Sequence, residues 1–378
     1  MKRPTIPDLA EAAGVSISTV NRVLNNPESV RKPTRDRVHH AAEELGFYGL
    51  GVIEHSVRKS RATHKLGVLL QQESRTFYHN LGKALHTAAE TYPDANIKLT
   101  LIHLEDLSPD NVSNALLELS ETCDSIALVA AQHPLVAQAI QTVMQKGIPV
   151  TGLIAPLYAA DNVNFVGLDN WKVGRVAAWA FDKMVREPGK IGILVGNPRY
   201  QNQELNESGF RSYFRENNSK FTLLEPLPTY ESSAVGRELV EDLLKKHPDL
   251  CGLFVSGGGI TGALAGLRDM PRRQDFVTVG YELFDATRTG LLDGTLTMVI
   301  SHPLEELARQ TIATLVSSIS SKSAIGAQRV ALDFQIYTSE SLEAHQQGDA
   351  CWQIIEVREK TWIGAQYCDI DYKTKQRR

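Results

Sequence analysis

Residues 5–26, TIPDLAEAAGVSISTVNRVLNN, contain two short helical patterns that a single glycine separates. Thr5 offers a hydroxyl that can cap the first helix, and Asp8 supplies the acid three residues later that a capping box requires. Gly14 is predicted to end this helix, and Ser16 to begin a second one after a turn of three or four residues. Two helices joined by so short a turn are typical of a helix-turn-helix.

A third helix is predicted in the stretch VRKPTRDRVHHAAEELGF, where it follows Pro33, is capped by Thr34 and ends at Gly46. Apolar side chains recur at the spacing of one buried helix face: Val38, Ala41, Ala42 and Leu45. Three short helices can close a small core, so residues 1–46 are predicted to form an all-α domain.

The second helix has only a narrow apolar stripe, so its polar face is predicted to lie in the major groove of duplex DNA. Arg22 can donate two hydrogen bonds to one guanine, Ser18 can bond to several base edges, and Ile17 can contact a thymine methyl. Phosphate contacts are predicted for Thr5, Ser16, Thr19, Asn25 and Thr34. A three-helix module that binds another protein is the alternative that this pattern leaves open.

Charge is unevenly distributed along the chain. Residues 1–65 hold 11 Lys and Arg against 7 Asp and Glu, a balance of +4, whereas the remaining residues have a balance of −8. A basic head on an acidic body indicates that only the head meets a polyanion, although chance clustering in a solvated terminus would give the same count.

The 378 residues are enough for two or three domains, and 42% apolar with 22% charged residues is the composition of a soluble globular protein. No apolar run suggests a signal peptide or a membrane span. The four cysteines are widely scattered, without the paired spacing of a zinc site or a disulfide framework: Cys123, Cys251, Cys351 and Cys368. We therefore expect reduced thiols, a cytoplasmic location and no contact with a membrane.

From Leu66 onward, short apolar runs alternate with amphipathic stretches, the rhythm of a parallel α/β protein with helices on both sheet faces. The predicted strands are LGVLL, IKLTLIHL, SIALVA, PVTGLI, FVGL, KIGILVG, FTLLE, CGLFVSG, FVTVG and LTMVIS, and the clearest helices are 109–122, 134–146, 171–186 and 234–247. Ten strands are many for one sheet, and FVGLDNWKVGRVAAWAF is a natural restart near the middle. Two lobes are therefore predicted.

The head, TIPDLAEAAGVSISTVNRVLNN followed by VRKPTRDRVHHAAEELGF, closely resembles that of the LacI/GalR family of bacterial transcription regulators. The resemblance covers about forty-five residues and implies a homodimer that binds a near-palindromic operator, one head on each half-site. In that family the linker, here 47–63, folds into a hinge helix on DNA and inserts a leucine into the minor groove.

This chain departs from the family in the linker, where Ser56 and Val57 stand in place of the leucine, and Gly49 and Gly51 weaken any helix. Val52, Ile53 or Val57 could substitute for the leucine. Phosphate contacts are still expected from the basic residues that follow: Arg58, Lys59, Arg61 and Lys65.

The body, from about residue 64 to 340, resembles the type I periplasmic-binding-protein fold that forms the effector domain of the same family. This resemblance implies three chain crossings between the lobes, with 298–325 returning to the first lobe and the last strand joining the second. It also implies a small effector in the cleft, at the carboxyl ends of the strands.

The resemblance places five candidate effector contacts in the cleft: Phe77, Tyr78, Asn206, Glu282 and His302. A purely structural role is open for each, such as ring packing for the aromatic pair or a solvated loop acid for Glu282. Asp169 and Asn170 match a family element but are interpreted as the cap of the following helix.

Two departures in this region limit the choice of effector. Asn206 replaces the arginine that the family usually carries, and Ser256 with Gly257 replace an asparagine–aspartate pair. Without an arginine fork, a carboxylate or phosphate effector is disfavoured, and an uncharged sugar, polyol or cyclitol is expected.

A rival interpretation rests on Gly257, Gly259 and Gly262, a G-x-G-x-x-G run after a strand, with Glu282 twenty residues later. That layout is typical of an NAD-binding regulator or an oxidoreductase. It is disfavoured because the fingerprint normally lies in the first β-α-β unit of its domain. No catalytic constellation or metal-ligand spacing competes, so neither an enzyme nor a cofactor is expected. Residues 341–378 form an extension of unknown role.

Overall fold

The computed structural model describes residues 3–47, 61–159, 163–217, 220–320 and 326–342. The predictions for the linker at Gly49, Gly51, Val52, Ile53, Ser56, Val57, Arg58 and Lys59 lie outside these ranges. So does almost all of the predicted extension 341–378.

The head consists of three helices: α1, Ile6–Ala12; α2, Ile17–Asn25; and α3, Lys32–Leu45. The capping box forms as predicted, since the Thr5 amide and hydroxyl both donate to Asp8 Oδ2, at 2.7 and 2.6 Å. Gly14 and Gly46 end α1 and α3 with φ of 62° and 60°, a left-handed conformation that favours glycine. The helices enclose a core of apolar side chains: Leu9, Ala10, Ala13, Val20, Val23, Val30, Val38, Ala41, Ala42 and Phe47.

One boundary in the head was predicted wrongly. α3 begins at Lys32, before Pro33, and its N-cap is Arg31. Proline is tolerated in a first helical turn because an amide there has no partner within the helix. Thr34 therefore lies inside the first turn and does not cap the helix.

The first lobe is built on a six-stranded, all-parallel sheet in the order β12-β5-β4-β3-β1-β2. Its strands are β1, Thr63–Gln71; β2, Asn96–Leu104; β3, Ser125–Leu128; β4, Val150–Leu153; β5, Asn164–Leu168; and β12, Arg329–Leu332. Its helices are α4, Thr76–Glu90; α5, Pro109–Ser120; α6, Pro134–Gln145; and α12, Leu304–Ser320.

The second lobe is built on a sheet in the order β13-β11-β10-β9-β6-β7, with β8 also paired to β6. Its strands are β6, Lys190–Val195; β7, Thr222–Leu223; β8, Leu227–Pro228; β9, Leu250–Val255; β10, Val277–Tyr281; β11, Met298–Ser301; and β13, Gln335–Tyr337. Its helices are α7, Asn170–Met184; α8, Gln201–Glu216; α9, Ser233–Lys246; α10, Ile260–Asp269; and α11, Asp285–Leu292.

The chain passes between the lobes three times: after β5, after β11 and after β12. The predicted return to the first lobe is confirmed for α12, which packs on α4 and β3, and the last strand, β13, joins the second sheet as predicted. The predicted start of that return was wrong, because β11 at Met298–Ser301 still pairs with β10 in the second sheet.

All ten strands predicted from apolar runs are present. Two further short strands, β8 and β12, were not predicted, and β13 was expected only from the family resemblance, as the last strand. No helix in the described part of the chain is both long and apolar enough to cross a membrane.

Aromatic rings fill the centre of the second lobe. The Phe210 side chain of α8 is fully buried, and its ring centroid lies 4.8 Å from that of Phe254, 5.2 Å from Phe214 and 5.5 Å from Phe181. Such pairs stabilise a core beyond their buried area alone. The α7–α8 contact is also close, since a Cβ at Gly174 would lie 1.9 Å from the Asn206 carbonyl oxygen.

Replacing Phe210 by alanine should lower the free energy of unfolding by about 3–5 kcal/mol, because the cavity left among three rings cannot fully collapse. Urea unfolding measures the change. Leu292→Ala is the control, since that side chain is 66% exposed and its loss should change stability by less than about 0.5 kcal/mol. Equal effects of the two substitutions would contradict the packing assigned to Phe210.

Candidate functional site

A cavity of about 320 Å³ lies between the lobes, at the carboxyl ends of strands from both sheets. This volume is at the lower end of the roughly 300–1,000 Å³ typical of ligand pockets, so it suits a small metabolite better than a dinucleotide. The first lobe contributes Gln71, Ser74, Arg75, Thr76, Phe77, Tyr78, Val129 and Ile154. The second contributes Tyr200, Asn202, Gln203, Glu231, Ser233, Ser256, Gly257, Gly258, Gly259, Ile260, Thr261, Tyr281, Glu282 and Phe284.

The aromatic pair lines this cavity at the start of α4. The Phe77 and Tyr78 rings meet edge to face with centroids 5.1 Å apart, and both also pack against the apolar core. Burial raises the pKa of the Tyr78 hydroxyl well above its usual value, so the group stays protonated and can donate a hydrogen bond. Phe77 and Tyr78 therefore both pack against the core and line the cavity.

Glu282 lines the cavity from the end of β10, where its φ of 67° is rare for a residue with a side chain. Its carboxylate accepts hydrogen bonds from the Ser301 hydroxyl at 3.0 Å and from the His302 amide at 3.2 Å. The third contact, 2.5 Å, joins Glu282 Oε1 to Nδ1 of the His302 ring. The acid is thus held in one orientation by the chain that follows β11.

His302 does not line the cavity, contrary to the prediction that it faces the cleft. Its side chain has no exposed surface and lies beneath Glu282, with ring centroids 5.7 Å from Phe77 and 5.8 Å from Tyr281. The short contact with the Glu282 carboxylate turns the imidazole inward. His302 therefore positions two lining residues, Glu282 and Phe77.

Asn206 is also absent from the residues that line the cavity. It is fully buried in α8, and its Nδ2 donates to the Ser256 hydroxyl at 3.2 Å. Ser256 is the residue of this pair that reaches the cavity. The close approach of α7 and α8 places Asn206 below the cavity surface.

Asp169 caps α7 as expected, since its Oδ1 accepts from the Lys172 amide at 3.2 Å. Asn170 is buried and donates to the Leu168 carbonyl at 3.1 Å. Neither residue lines the cavity.

An ion pair that was not predicted from the sequence crosses the cavity. Arg75 of the first lobe lies 2.8 Å, Nη1 to Oε2, from Glu231 of the second. Gln203 supports the acid by donating from Nε2 to Glu231 Oε1 at 3.0 Å. Arg75 comes only two residues before the predicted aromatic pair, but its partner lies 156 residues away, a separation that no local pattern reveals.

The glycine run that suggested NAD serves the packing of this lobe. A Cβ at Gly258 would lie 1.8 Å from Glu231 Oε2, and one at Gly262 would lie 1.6 Å from the Ser233 carbonyl oxygen of α9. A carboxylate thus occupies the space beside the loop where a pyrophosphate would bind, and Glu282 is held by Ser301 and His302. The NAD interpretation is not supported.

In the head, most of the predicted DNA-contacting residues lie on or next to α2 and are exposed. Ser16 caps the helix, its hydroxyl lies 2.9 Å from those of Ser18 and Thr19, and Arg22 Nη2 donates to Thr19 Oγ1 at 3.3 Å. Ile17 is 50% exposed, so its side chain is accessible to a partner. Asn25 and Thr5 are exposed and Thr34 is half-buried.

No group of three or more His, Cys, Asp or Glu within the described ranges could hold a metal ion. The described cysteines, Cys123 and Cys251, are buried and form no disulfide. Burial raises the pKa of the Cys251 thiol to about 11.

The head and body define a regulator with a DNA-binding domain and a ligand-binding domain, and family comparisons agree. Residues 5–49 match the family of bacterial regulatory proteins, lacI family, and residues 66–323 match the periplasmic binding protein domain. The chain belongs to the lacI family of bacterial regulatory proteins.

Two curated relatives match over most of their length. The ribose operon repressor of Halalkalibacterium halodurans is 25% identical over 338 residues, which cover 84% of this chain and 91% of the relative. The HTH-type transcriptional regulator IpsA of Corynebacterium glutamicum is 24% identical over 330 residues, covering 80% and 88%.

Solved structures support the fold of the body. The glucose-galactose binding protein GanP of Geobacillus stearothermophilus matches with a TM-score of 0.68 at 17% identity, covering 75% of this chain and all of that one. A periplasmic solute binding protein from Actinobacillus succinogenes 130z with bound D-allose matches with a TM-score of 0.66 at 17% identity, covering 73% and 98%.

His302→Ala should lower the free energy of unfolding by about 1–3 kcal/mol, because the Glu282 carboxylate loses a ring donor while remaining 12% exposed. Thermal or urea unfolding measures the change. His86→Ala, at an exposed position of α4, should have little effect. A His302 variant as stable as the His86 variant would contradict the supporting role.

Proposed function

We propose that the protein is a transcription repressor that binds operator DNA and is controlled by a small uncharged sugar, polyol or cyclitol in the interlobe cavity. One observation carries the proposal: a helix-turn-helix with an exposed polar face belongs to the same chain as a small cavity lined by aromatic and hydrogen-bonding side chains. The relatives named as an operon repressor and a transcriptional regulator support it.

For DNA recognition we assign base contacts to Ile17, Ser18 and Arg22, and phosphate contacts to Thr5, Ser16, Thr19, Asn25 and Thr34. The hydrogen bond from Arg22 to Thr19 and the hydroxyl cluster at Ser16 support the base-reading role, because they limit the freedom of these side chains before DNA binds. Binding should weaken steeply with salt.

For the effector, Phe77 and Tyr78 present rings on which a sugar can stack, and Glu282 presents a carboxylate for hydroxyl groups. Asn206 and His302 act indirectly, through Ser256 and Glu282. The bound D-allose of one structural neighbour supports a sugar-like ligand. We expect neither a cofactor nor an enzymatic reaction.

We further propose a cytoplasmic homodimer without membrane contact, divided into the DNA-binding domain 1–46, the linker 47–63, the effector domain 64–340 and the extension 341–378. Because the chain crosses between the lobes three times, ligand-driven rotation of one lobe can move the start of the effector domain and change the spacing of two heads.

Arg22→Ala should reduce discrimination at one base pair of each half-site by about 1–3 kcal/mol, since a bidentate guanine contact is lost. Selection from random oligonucleotides, followed by binding titrations, measures it. The control is Arg215→Ala, an exposed arginine of α8 in the body. Unchanged base preference in the Arg22 variant would count against this role.

Thermal-shift measurements with D-ribose, D-galactose, D-allose, myo-inositol and NAD test the effector class. A ligand at 100 times its Kd adds about 2.7 kcal/mol of stability, which raises the Tm by several degrees. We expect at least one neutral compound to do so, and NAD to have no effect. Stabilisation by NAD alone would overturn the proposed ligand class.

A further inference from the structure

We propose that Arg75 and Glu231 set the charge specificity of the cavity, so that the site admits uncharged ligands and rejects anions as long as the two side chains are paired. This inference rests on the proposed function, in that it concerns the same ligand cavity. It goes beyond it by naming the residues that decide which class of ligand binds.

Both members of the pair are firmly positioned. Arg75 Nε donates to Gln72 Oε1 at 2.9 Å, and its Nη1 donates to Gln71 Oε1 at 3.1 Å as well as to Glu231. Gln203 Oε1 accepts from the amides of Gly196 and Asn197, at 2.6 and 3.0 Å, so its NH₂ group faces Glu231. The pair is therefore built into the lobes and is not a chance meeting of flexible chains.

The backbone conformation around Glu231 also indicates that this side chain is held in one place. Tyr230 and Glu231 have φ of 51° and 63°, two consecutive left-handed residues with side chains. Such conformations cost free energy and persist where the surroundings impose them, commonly at ligand sites. Gly258 leaves the room that the carboxylate occupies.

Few of the residues that line the cavity carry a charge. Arg75 is the only Lys or Arg among the lining residues that the structure describes, and Glu231 and Glu282 are the only acids. The side chains of Arg75 and Glu231 are 26% and 13% exposed, so water screens the pair only in part. An anionic ligand meets a guanidinium whose charge Glu231 already compensates, and drawing Arg75 away from Glu231 would leave a largely buried carboxylate without its cation.

This arrangement changes the physical reason for excluding anions. Position 206 carries an asparagine where the family usually has an arginine, yet Arg75 does reach the cavity, from the opposite lobe. What excludes an anion is the prior engagement of that arginine by Glu231. Removing the acid while keeping its shape should therefore turn the site into one that binds sugar acids.

The experiment compares the full-length wild-type protein with Glu231→Gln. The probes are three neutral aldoses, D-glucose, D-galactose and D-ribose, and three related acids, D-glucuronate, D-galacturonate and D-ribonate, at constant ionic strength. Thermal shift and titration calorimetry measure binding. Glu231→Gln should bind at least one acid roughly tenfold or more tightly than the wild type does, because a charge-assisted hydrogen bond to Arg75 becomes available.

Two controls isolate the arginine. The double variant Arg75→Met/Glu231→Gln should lose the gain, because the free guanidinium is absent. Glu121→Gln removes the acid from a different, exposed ion pair, in which Glu121 Oε1 lies 2.5 Å from Lys146 Nζ. This variant should bind the acids no more tightly than the wild type. Circular dichroism and operator binding check that each variant folds.

If Glu231→Gln does not fold, two other variants provide the same test. The Glu231→Arg variant should bind the acids more tightly than the wild type does. The charge-swapped variant Arg75→Glu/Glu231→Arg should show the wild-type preference again. The inference would be overturned if a folded variant without Glu231 bound the acids no more tightly than the wild type. It would also be overturned if tighter binding of the acids persisted after Arg75 was replaced. A wild type that no neutral probe stabilises would instead count against the proposed sugar ligand, while the response of Glu231→Gln to the acids still decides the charge rule.

Discussion

The contacts that close the cleft between the two lobes are the constraint on which the rest of the structure depends. Each lobe has its own sheet, the chain passes between them at three crossings, and one cluster of buried apolar side chains runs through both lobes. Across the cleft, the Gln132 amide donates to the Arg199 carbonyl at 2.8 Å, and Arg75 meets Glu231. A ligand that binds between the lobes would therefore lie directly against the polar contacts that join them.

Several residues around the cavity have backbone conformations that are rare for residues with a side chain. Of the non-glycine residues with positive φ in the described ranges, Ile154, Glu231 and Glu282 line the cavity, and Tyr230 adjoins it. Each follows the carboxyl end of a strand, and the amides of Ile154 and Glu282 still donate to the neighbouring strand, at 2.9 and 2.8 Å. The cores of the lobes supply the stability that keeps these residues in place.

Much of the fold could be predicted from local patterns, and the reasons for success and failure are physical. The ten predicted strands are apolar runs bounded by polar or glycine-rich turns, and helices such as Pro109–Ser120 and Pro134–Gln145 begin at prolines that fix their start. The apolar runs did not reveal β8 and β13, because two or three residues, half-buried in β8 and mostly exposed in β13, leave no periodic signal. In the site, the aromatic pair and Glu282 follow strands and could be predicted, whereas pairing across 156 residues could not.

The buried polar atoms near the cavity link stability to ligand chemistry. Asn202 lines the cavity with its Oδ1 buried and without a hydrogen-bond partner, and His302 Nε2 is in the same condition beneath Glu282. Such atoms destabilise a protein until something satisfies them. Because the Asn202 oxygen is buried, a compound in the cavity can reach it only if the side chain moves, whereas the 12% exposed Glu282 side chain can accept from a ligand hydroxyl directly. A compound without donors would leave that carboxylate with only Ser301 and His302 as its partners.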